Sequence, residues 1–217
     1  MKGLILKDFI NLKKNLKIFG GLTVLYGVMA IASDDTSFFS SIFVLLYAIL
    51  TLSLYSYDDM AKWDVFAQTC PISKDNIVQS KYLMMLLLTL LGVVYGSLFT
   101  IIINIIIKSD SLLNGLQSIG AGTAIVILFY CIIIPFITKM GVEKARLILF
   151  AVYAIPFVIV LAMNKMLSNG DFVVPEMLIK LANTCMEYIY LIVPIVVIIA
   201  LSISYGISVL IYQKKEF

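Results

Sequence analysis

The chain has 217 residues, of which 62% are hydrophobic and 13% are charged, and its formal net charge is +3. Globular proteins average about one quarter charged residues, so this composition excludes an ordinary soluble domain. Histidine is absent, which removes the commonest general base and metal ligand. The three cysteines form no CxxC pair and no zinc spacing, so we predict no metal site.

The N-terminal segment, residues 1–17, has the pattern of an amphipathic helix. Its apolar stripe recurs at spacings of four, three and four residues and consists of Ile5, Phe9, Leu12 and Leu16. Lysines occupy the opposite face and the edges of the stripe, where they can reach anionic lipid headgroups. We therefore predict a helix that lies in the cytoplasmic interface of the membrane. Such a helix would be a simple anchor or a lever against the first span, and the sequence leaves both open.

Apolar segments of membrane length predict six transmembrane helices. A helix needs about 20 residues to cross about 30 Å of hydrocarbon, and these runs are too long and too continuous for barrel strands. The predicted spans cover residues 18–33, 38–57, 82–107, 115–137, 147–164 and 188–211. Between the last two spans, a short outer helix is predicted over 175–182. Residues 1–217 are thus predicted to form one all-α integral membrane domain.

Lysine and arginine are distributed unequally between the two sides of this arrangement. With both termini cytoplasmic, thirteen of these residues lie inside and three lie outside, which is the bias described by the positive-inside rule. The segment Ala30-Ile31-Ala32 also fits a signal-peptidase site. The stretch that precedes it is long for a signal peptide, so a retained first span is the favoured interpretation.

Residues 58–81 form a charged segment between the second and third spans, on the predicted cytoplasmic side. Apolar residues at helical spacing predict a short amphipathic helix over 58–69, and Pro71 interrupts it. Ser73 is the predicted N-cap of the next helix. The segment is either a polar loop that places Trp63 in the interfacial aromatic belt or a docking element for a partner protein.

Two parts of the sequence are similar to those of a known family. The first is DMAKWDVF at 59–66, with TCPISK at 69–74 and IVQSKY at 77–82, and the second is PFITKMGVEKAR at 135–146. Together with the six-span plan and the basic N-terminal helix, they resemble the type-2 ABC exporter permeases over essentially the whole chain. Within that family, the chain resembles small bacterial six-span permeases such as exporters of phenol-soluble modulins or peptide antibiotics.

The resemblance implies a coupling helix in the segment between spans two and three, which seats on a separate nucleotide-binding subunit. Its docking residues would be Asp59, Lys62, Trp63, Asp64 and Phe66. A second cytoplasmic contact would be made after the fourth span by Lys139, Glu143, Lys144 and Arg146. The resemblance also implies that ATP and Mg²⁺ bind to the partner ATPase, with no cofactor on this chain. It places the complex in the bacterial cytoplasmic membrane.

The sequence carries no motif with which the chain could hydrolyse ATP itself. No G-x-x-x-x-G-K-[ST] phosphate loop occurs, and no histidine-based catalytic constellation can be built, so we predict that the chain alone is not an enzyme. No charged residue is predicted at mid-depth in a span, which disfavours a proton-coupled carrier. Gly92 and Gly96 form a G-x-x-x-G pair, which permits close helix packing within the chain or across a dimer.

The sequence therefore predicts the permease subunit of an ATP-driven exporter. Its substrate would be amphipathic or hydrophobic, such as a membrane-active peptide. Its partners would be an ABC ATPase, a second permease chain and membrane lipid, without nucleic acid. One six-helix chain is small for both a path and its gates, so a homodimer or a heterodimer is expected. The alternative is a membrane scaffold, or an immunity protein that sequesters a toxic peptide and needs no ATPase.

Overall fold

The computed structural model describes residues 2–13, 16–33, 37–107, 112–145, 154 and 188–215. Throughout these residues the regular structure is helical, without strands, which agrees with the predicted all-α class. The helices are α1 (Lys2–Leu12), α2 (Leu16–Ser33), α3 (Ser37–Met60), α4 (Trp63–Thr69), α5 (Lys74–Ile107), α6 (Leu112–Met140) and α7 (Ile189–Lys214). Outside the described residues lie Arg146, the predicted outer helix at 175–182 and, apart from Ala154, the predicted fifth span at 147–164.

Among the described helices, α3, α5, α6 and α7 are long and apolar enough to cross a membrane. They correspond to the predicted second, third, fourth and sixth spans. The predicted first span is also helical and lies within the 18 residues of α2. The continuous stretch of α2 whose side chains are described, Gly20–Ala32, is apolar but is by itself shorter than the about 20 residues that a crossing needs. The structure supports a helical membrane protein, while the number of spans and the side on which the termini lie stay predictions.

The third predicted span belongs to a longer helix. α5 has 34 residues and is about 51 Å long at about 1.5 Å per residue, against about 30 Å of hydrocarbon. The Ser73 hydroxyl accepts a hydrogen bond from the Asn76 backbone N–H at 3.3 Å, and Asp75 lies in the first turn. Ser73 is therefore the N-cap, as predicted, and Pro71 lies in the break before it. The helix begins at this cap rather than at the edge of the apolar run.

The prediction of one amphipathic helix over 58–69 is wrong. The first residues of that range are the last turn of α3, and α4 is a separate helix after a turn in which Lys62 has a left-handed φ of 49°. Asp58 is buried on the same face of α3 as Leu54 and Tyr55. Because its last turn packs against the bundle, α3 extends past the end of its apolar run. The apolar residues at helical spacing in 58–69 therefore lie on two helices, α3 and α4.

Glycines allow α5 to approach α3 closely. A Cβ atom added at Gly92 would lie 3.0 Å from Val44 Cα, and one added at Gly96 would lie 2.9 Å from the backbone oxygen of Ser40. Both neighbours are backbone atoms of α3, which cannot move aside as a flexible side chain can. The predicted G-x-x-x-G pair thus lies against another helix of the same chain.

Hydroxyl groups join α7 to α5 and α6. The Tyr82 hydroxyl lies 2.6 Å from Ser204 Oγ and 2.8 Å from Ser208 Oγ, and Ser204 donates to the Cys131 carbonyl at 2.5 Å. Because the hydrogen of Ser204 is used in that bond, Tyr82 donates to Ser204 and accepts from Ser208. Each of these three hydroxyls therefore has a partner inside the bundle, as a membrane interior favours.

Candidate functional site

α1 packs across α3 and α5 at the end of the bundle where α3 finishes and α5 begins, which we call the charged end. The residues of α1 buried there are Leu4, Asp8 and Leu12. The predicted apolar stripe is thus only partly correct, because Ile5 is half-buried and Phe9 is 51% exposed. The packing face is rotated by about one residue, or about 100°, because Asp8 faces its lysine partners in the bundle.

Four charged side chains on α1, α3 and α5 form a closed cluster, which we call the ion ring: Lys7, Asp8, Asp58 and Lys81. Lys7 Nζ lies 2.6 Å from Asp58 Oδ1 and 2.9 Å from Asp8 Oδ1. Lys81 Nζ lies 3.5 Å from Asp8 Oδ2 and also donates a hydrogen bond to Asp58 Oδ2. Each carboxylate therefore faces both lysines, and each lysine faces both carboxylates.

Three of the four side chains of the ion ring are buried, so their charges need partners of opposite sign. Asp8 is 1% exposed, and Asp58 and Lys81 are each 8% exposed. Isolated charges at such depth are strongly unfavourable, whereas two lysines and two aspartates in mutual contact sum to zero charge. Asp8 Oδ1 has the ion pair with Lys7 but no hydrogen bond, so the ring is not fully satisfied.

α4 is attached to the ion ring and to the end of α7. The ammonium group of Lys7 lies 4.2 Å from the ring centroid of Trp63, a cation–π contact between α1 and α4. At the other side, Asp64 accepts hydrogen bonds from the Tyr212 hydroxyl and from Lys215 Nζ, both at 3.2 Å. The inner face of α4 is therefore held by α1 and α7.

The end of α3 also contacts the turn that follows α6. Asp59 Oδ2 accepts a hydrogen bond of 2.9 Å from the backbone N–H of Val142. The chain reverses there at Gly141, whose φ of +79° is a conformation that glycine adopts without strain. The motifs at 59–66 and 135–146, which were predicted on the same side of the membrane, are thus joined by a hydrogen bond.

The predicted docking residues divide into two groups. Asp59, Trp63 and Asp64 make the contacts within the chain that are described above. Lys62 and Phe66 point away from the bundle, and Phe66 is 57% exposed. For the predicted second contact, the side chains of Lys139, Glu143 and Lys144 are exposed.

Sequence reasoning did not assign a role to Asp8, Lys81 or Tyr212, all of which lie at the charged end. Asp8 occupies the register i+4 from Leu4 and i−4 from Leu12, so a charged residue inside a buried stripe was the available signal. The Lys81 partnership carries no such signal, because 73 residues separate it from Asp8. Only the packing of α1 on α5 reveals it.

A small cavity with both polar and apolar walls lies beside the ion ring. Its volume is about 30 Å³, and its polar lining includes Tyr55, Asp58, Asp64, Lys81 and Tyr212. The Tyr55 hydroxyl is buried there and has no hydrogen-bond partner among the residues that the structure describes. A site of this size and polarity has room for one or two water molecules, since each needs about 10–15 Å³. Among the described residues, no group of His, Cys, Asp or Glu side chains could hold a metal ion.

The long apolar helices and the polar surface at one end define a helical integral membrane protein with a face outside the hydrocarbon. The family model described as ABC-2 family transporter protein matches residues 3–213, and the chain belongs to this family. No curated protein and no solved structure matches the chain. The family confirms the resemblance at its broad level, whereas the subfamily of small peptide exporters stays a prediction.

Membership of the family fixes the general role of the chain. It is the transmembrane permease component of an ABC transporter and not the ATPase. An ABC ATPase partner and a membrane environment follow from that role.

Proposed function

We propose that the chain is the permease subunit of an ATP-driven exporter, and that the coupling segment 58–81 docks on a separate ATPase. The observation that carries the proposal is the family match over residues 3–213. The charged end supplies the required surface, because α1, α4 and the turn after α6 meet there. The excess of lysine and arginine at this end supports a cytoplasmic position, facing the bacterial interior.

The docking surface consists of the outward residues of α4, of the turn before it and of the last residue of α3. Met60 is 83% exposed, Val65 is 54% exposed and Phe66 is 57% exposed, and Lys62 is exposed beside them. Apolar side chains that are exposed together and bordered by polar residues are typical of an interaction surface. The exposed residues Lys139, Glu143 and Lys144 extend this surface, since the Asp59–Val142 bond holds their turn against α3.

The proposed substrate is amphipathic or hydrophobic, such as a membrane-active peptide, and it leaves the cytoplasm or the inner leaflet. The large apolar surfaces of the spans support this class. In the described middle parts of α3, α5, α6 and α7, the buried polar residues are neutral, as in Thr51, Thr89 and Ser204, which does not favour an ionic substrate. A second permease chain would complete the path.

Purification of the tagged chain in mild detergent tests the proposal. We expect a stoichiometric ATPase subunit to bind, and we expect Phe66→Ala to weaken that binding about thirtyfold, the effect of losing a hot-spot side chain. The matched control is Phe38→Ala, because Phe38 is also exposed, at 63%, but lies at the other end of α3. Equal binding by both variants would place the docking surface elsewhere.

Purification of the native chain alone, in detergent and in lipid nanodiscs, would contradict the permease proposal. That result would favour the membrane scaffold or immunity protein. Trp63 and Asp64 are less suitable targets for the first test, because their substitution also breaks contacts with Lys7 and Tyr212 inside the chain.

A further inference from the structure

We propose that the ion ring is the joint through which movement of α4 acts on α1, α3 and α5. Lys7, Asp8, Asp58 and Lys81 are then positioning residues for transport, and α1 is a lever rather than a simple anchor. This inference rests on the proposed function, because it takes α4 to be the element that meets the ATPase.

A continuous series of contacts leads from the docking surface to the spans. Trp63 of α4 lies under the Lys7 ammonium at 4.2 Å. Lys7 donates to Asp58 of α3 at 2.6 Å, and Asp58 in turn accepts a hydrogen bond from Lys81 of α5. A push on α4 therefore reaches two membrane-length helices through this series of charged groups, in addition to the apolar packing of Ala67 in the core.

The arrangement of the ring allows it to open without isolating a charge. If α1 moves away from α3 and α5, the Lys7–Asp58 and Lys81–Asp8 contacts break, but Lys7 keeps Asp8 and Lys81 keeps Asp58. Each charge therefore has a partner of opposite sign in both arrangements. An element with two such arrangements can carry coupling between distant sites.

Stability alone does not require three buried charges and a half-buried lysine at this position. Replacement of a buried ion cluster by apolar residues of similar volume is often neutral or stabilising. The cavity of about 30 Å³ beside Asp58 and Lys81, with the unpartnered Tyr55 hydroxyl in its wall, leaves this region incompletely packed. It gives side chains or water the room to rearrange, which a tightly packed joint would lack.

The test measures movement of α1 in the complex of the chain with its co-purified ATPase, in nanodiscs. Spin labels are attached to Ile10→Cys on α1 and Gln79→Cys on α5, two exposed positions, after replacement of the native cysteines. The distance between the labels is measured without nucleotide and with Mg-ATP and vanadate. The ring-neutral variant combines Lys7→Met, Asp8→Asn, Asp58→Asn and Lys81→Met.

We expect the label distance to shift with nucleotide in the native complex and the shift to be lost in the ring-neutral variant. The variant should still bind the ATPase. It should also melt near the native Tm, because replacing all four charges together leaves no charge unpaired. If it does not fold, Lys7→Gln with Asp8→Asn removes one charge of each sign, keeps the Asp58–Lys81 pair and should lose the shift in the same way.

The possible failures point to different conclusions. If the nucleotide-dependent shift in label distance persists in the ring-neutral variant, or if the native complex shows no shift, the ion ring is not the joint. The proposed docking of the ATPase is unaffected by either result. Loss of ATPase binding only in the ring variants also overturns it, since the ring would then merely support the docking surface. Absence of the ATPase from the native preparation overturns the proposed function itself, before any label is read.

Discussion

The two ends of the helical bundle hold their buried polar groups in different ways. At the charged end, full charges on α1, α3 and α5 pair across long sequence separations, up to 73 residues between Asp8 and Lys81. At the far end, the groups are neutral and bond largely within α5. There, Thr100 Oγ1 lies 2.8 Å from the Gly96 carbonyl and 2.6 Å from Ser40 Oγ, and Asn104 donates to the Thr100 carbonyl at 3.0 Å.

This difference separates a fixed region from a region that can rearrange. Bonds within α5 form as soon as that helix forms, and the backbone contacts of Gly92 and Gly96 then fix α3 against it. The ion ring exists only when three helices are assembled, and loss of one member leaves the others with an unbalanced charge. Single substitutions should therefore have large effects at the charged end and modest effects at the far end.

The largest effect is expected for Lys81→Met. The substitution leaves Asp8 and Asp58 to share Lys7, and an uncompensated buried charge of this kind costs about 3–5 kcal/mol. The free energy of unfolding in mixed micelles measures the loss. The matched control is Lys144→Met, because Lys144 is exposed and its loss should change stability by about 0.5 kcal/mol at most. Similar values for the two lysines would show that the ring is not a unit.

A substitution at the far end should cost less. Thr100→Val removes the hydroxyl that contacts Ser40 and Gly96, and hydrogen bonds between membrane helices are worth about 0.6 kcal/mol on average and about 1.7 at most. The control is Ser97→Ala, since Ser97 bonds only to the Val94 carbonyl of its own helix in the described contacts. A loss for Thr100→Val as large as that for Lys81→Met would remove the distinction between the two ends.

The same distinction explains how much the sequence could predict. Apolar periodicity predicts α3, α5, α6 and α7 because burial in lipid and in the bundle follows local composition. Ser73 is identifiable because its cap bond is made three residues away. Lys81 is not identifiable as a ring member, because its partners lie on other helices. The face of α1 was misassigned for a related reason, since the apolar pattern ignores a buried aspartate such as Asp8.

The candidate site was predictable to the same extent: local patterns were visible in the sequence, whereas contacts between helices were not. The motif resemblance predicts a coupling segment at 58–81, but it could not tell which side chains of that segment face outward. Phe66 and Trp63 are three residues apart and both aromatic, yet one is largely exposed and the other lies against Lys7. The orientation of α4 against α1 and α7 decides which of its side chains are exposed to a partner and which contact the rest of the chain. The sequence does not show that orientation.

The smallest effect is expected for Lys215→Gln, which removes the ion pair with Asp64 at the edge of the charged end. The side chains of Lys215 and Asp64 are 30% and 34% exposed, and such pairs contribute about 0.2–1 kcal/mol because water and salt screen them. The contribution should disappear near 1 M salt, where the Debye length is about 3 Å. The loss caused by Lys81→Met should persist at that salt concentration, since buried charges are screened far less. Unfolding of both variants at low and high salt checks this, and equal salt dependence would mean that water reaches the ion ring as freely as it reaches the Asp64–Lys215 pair.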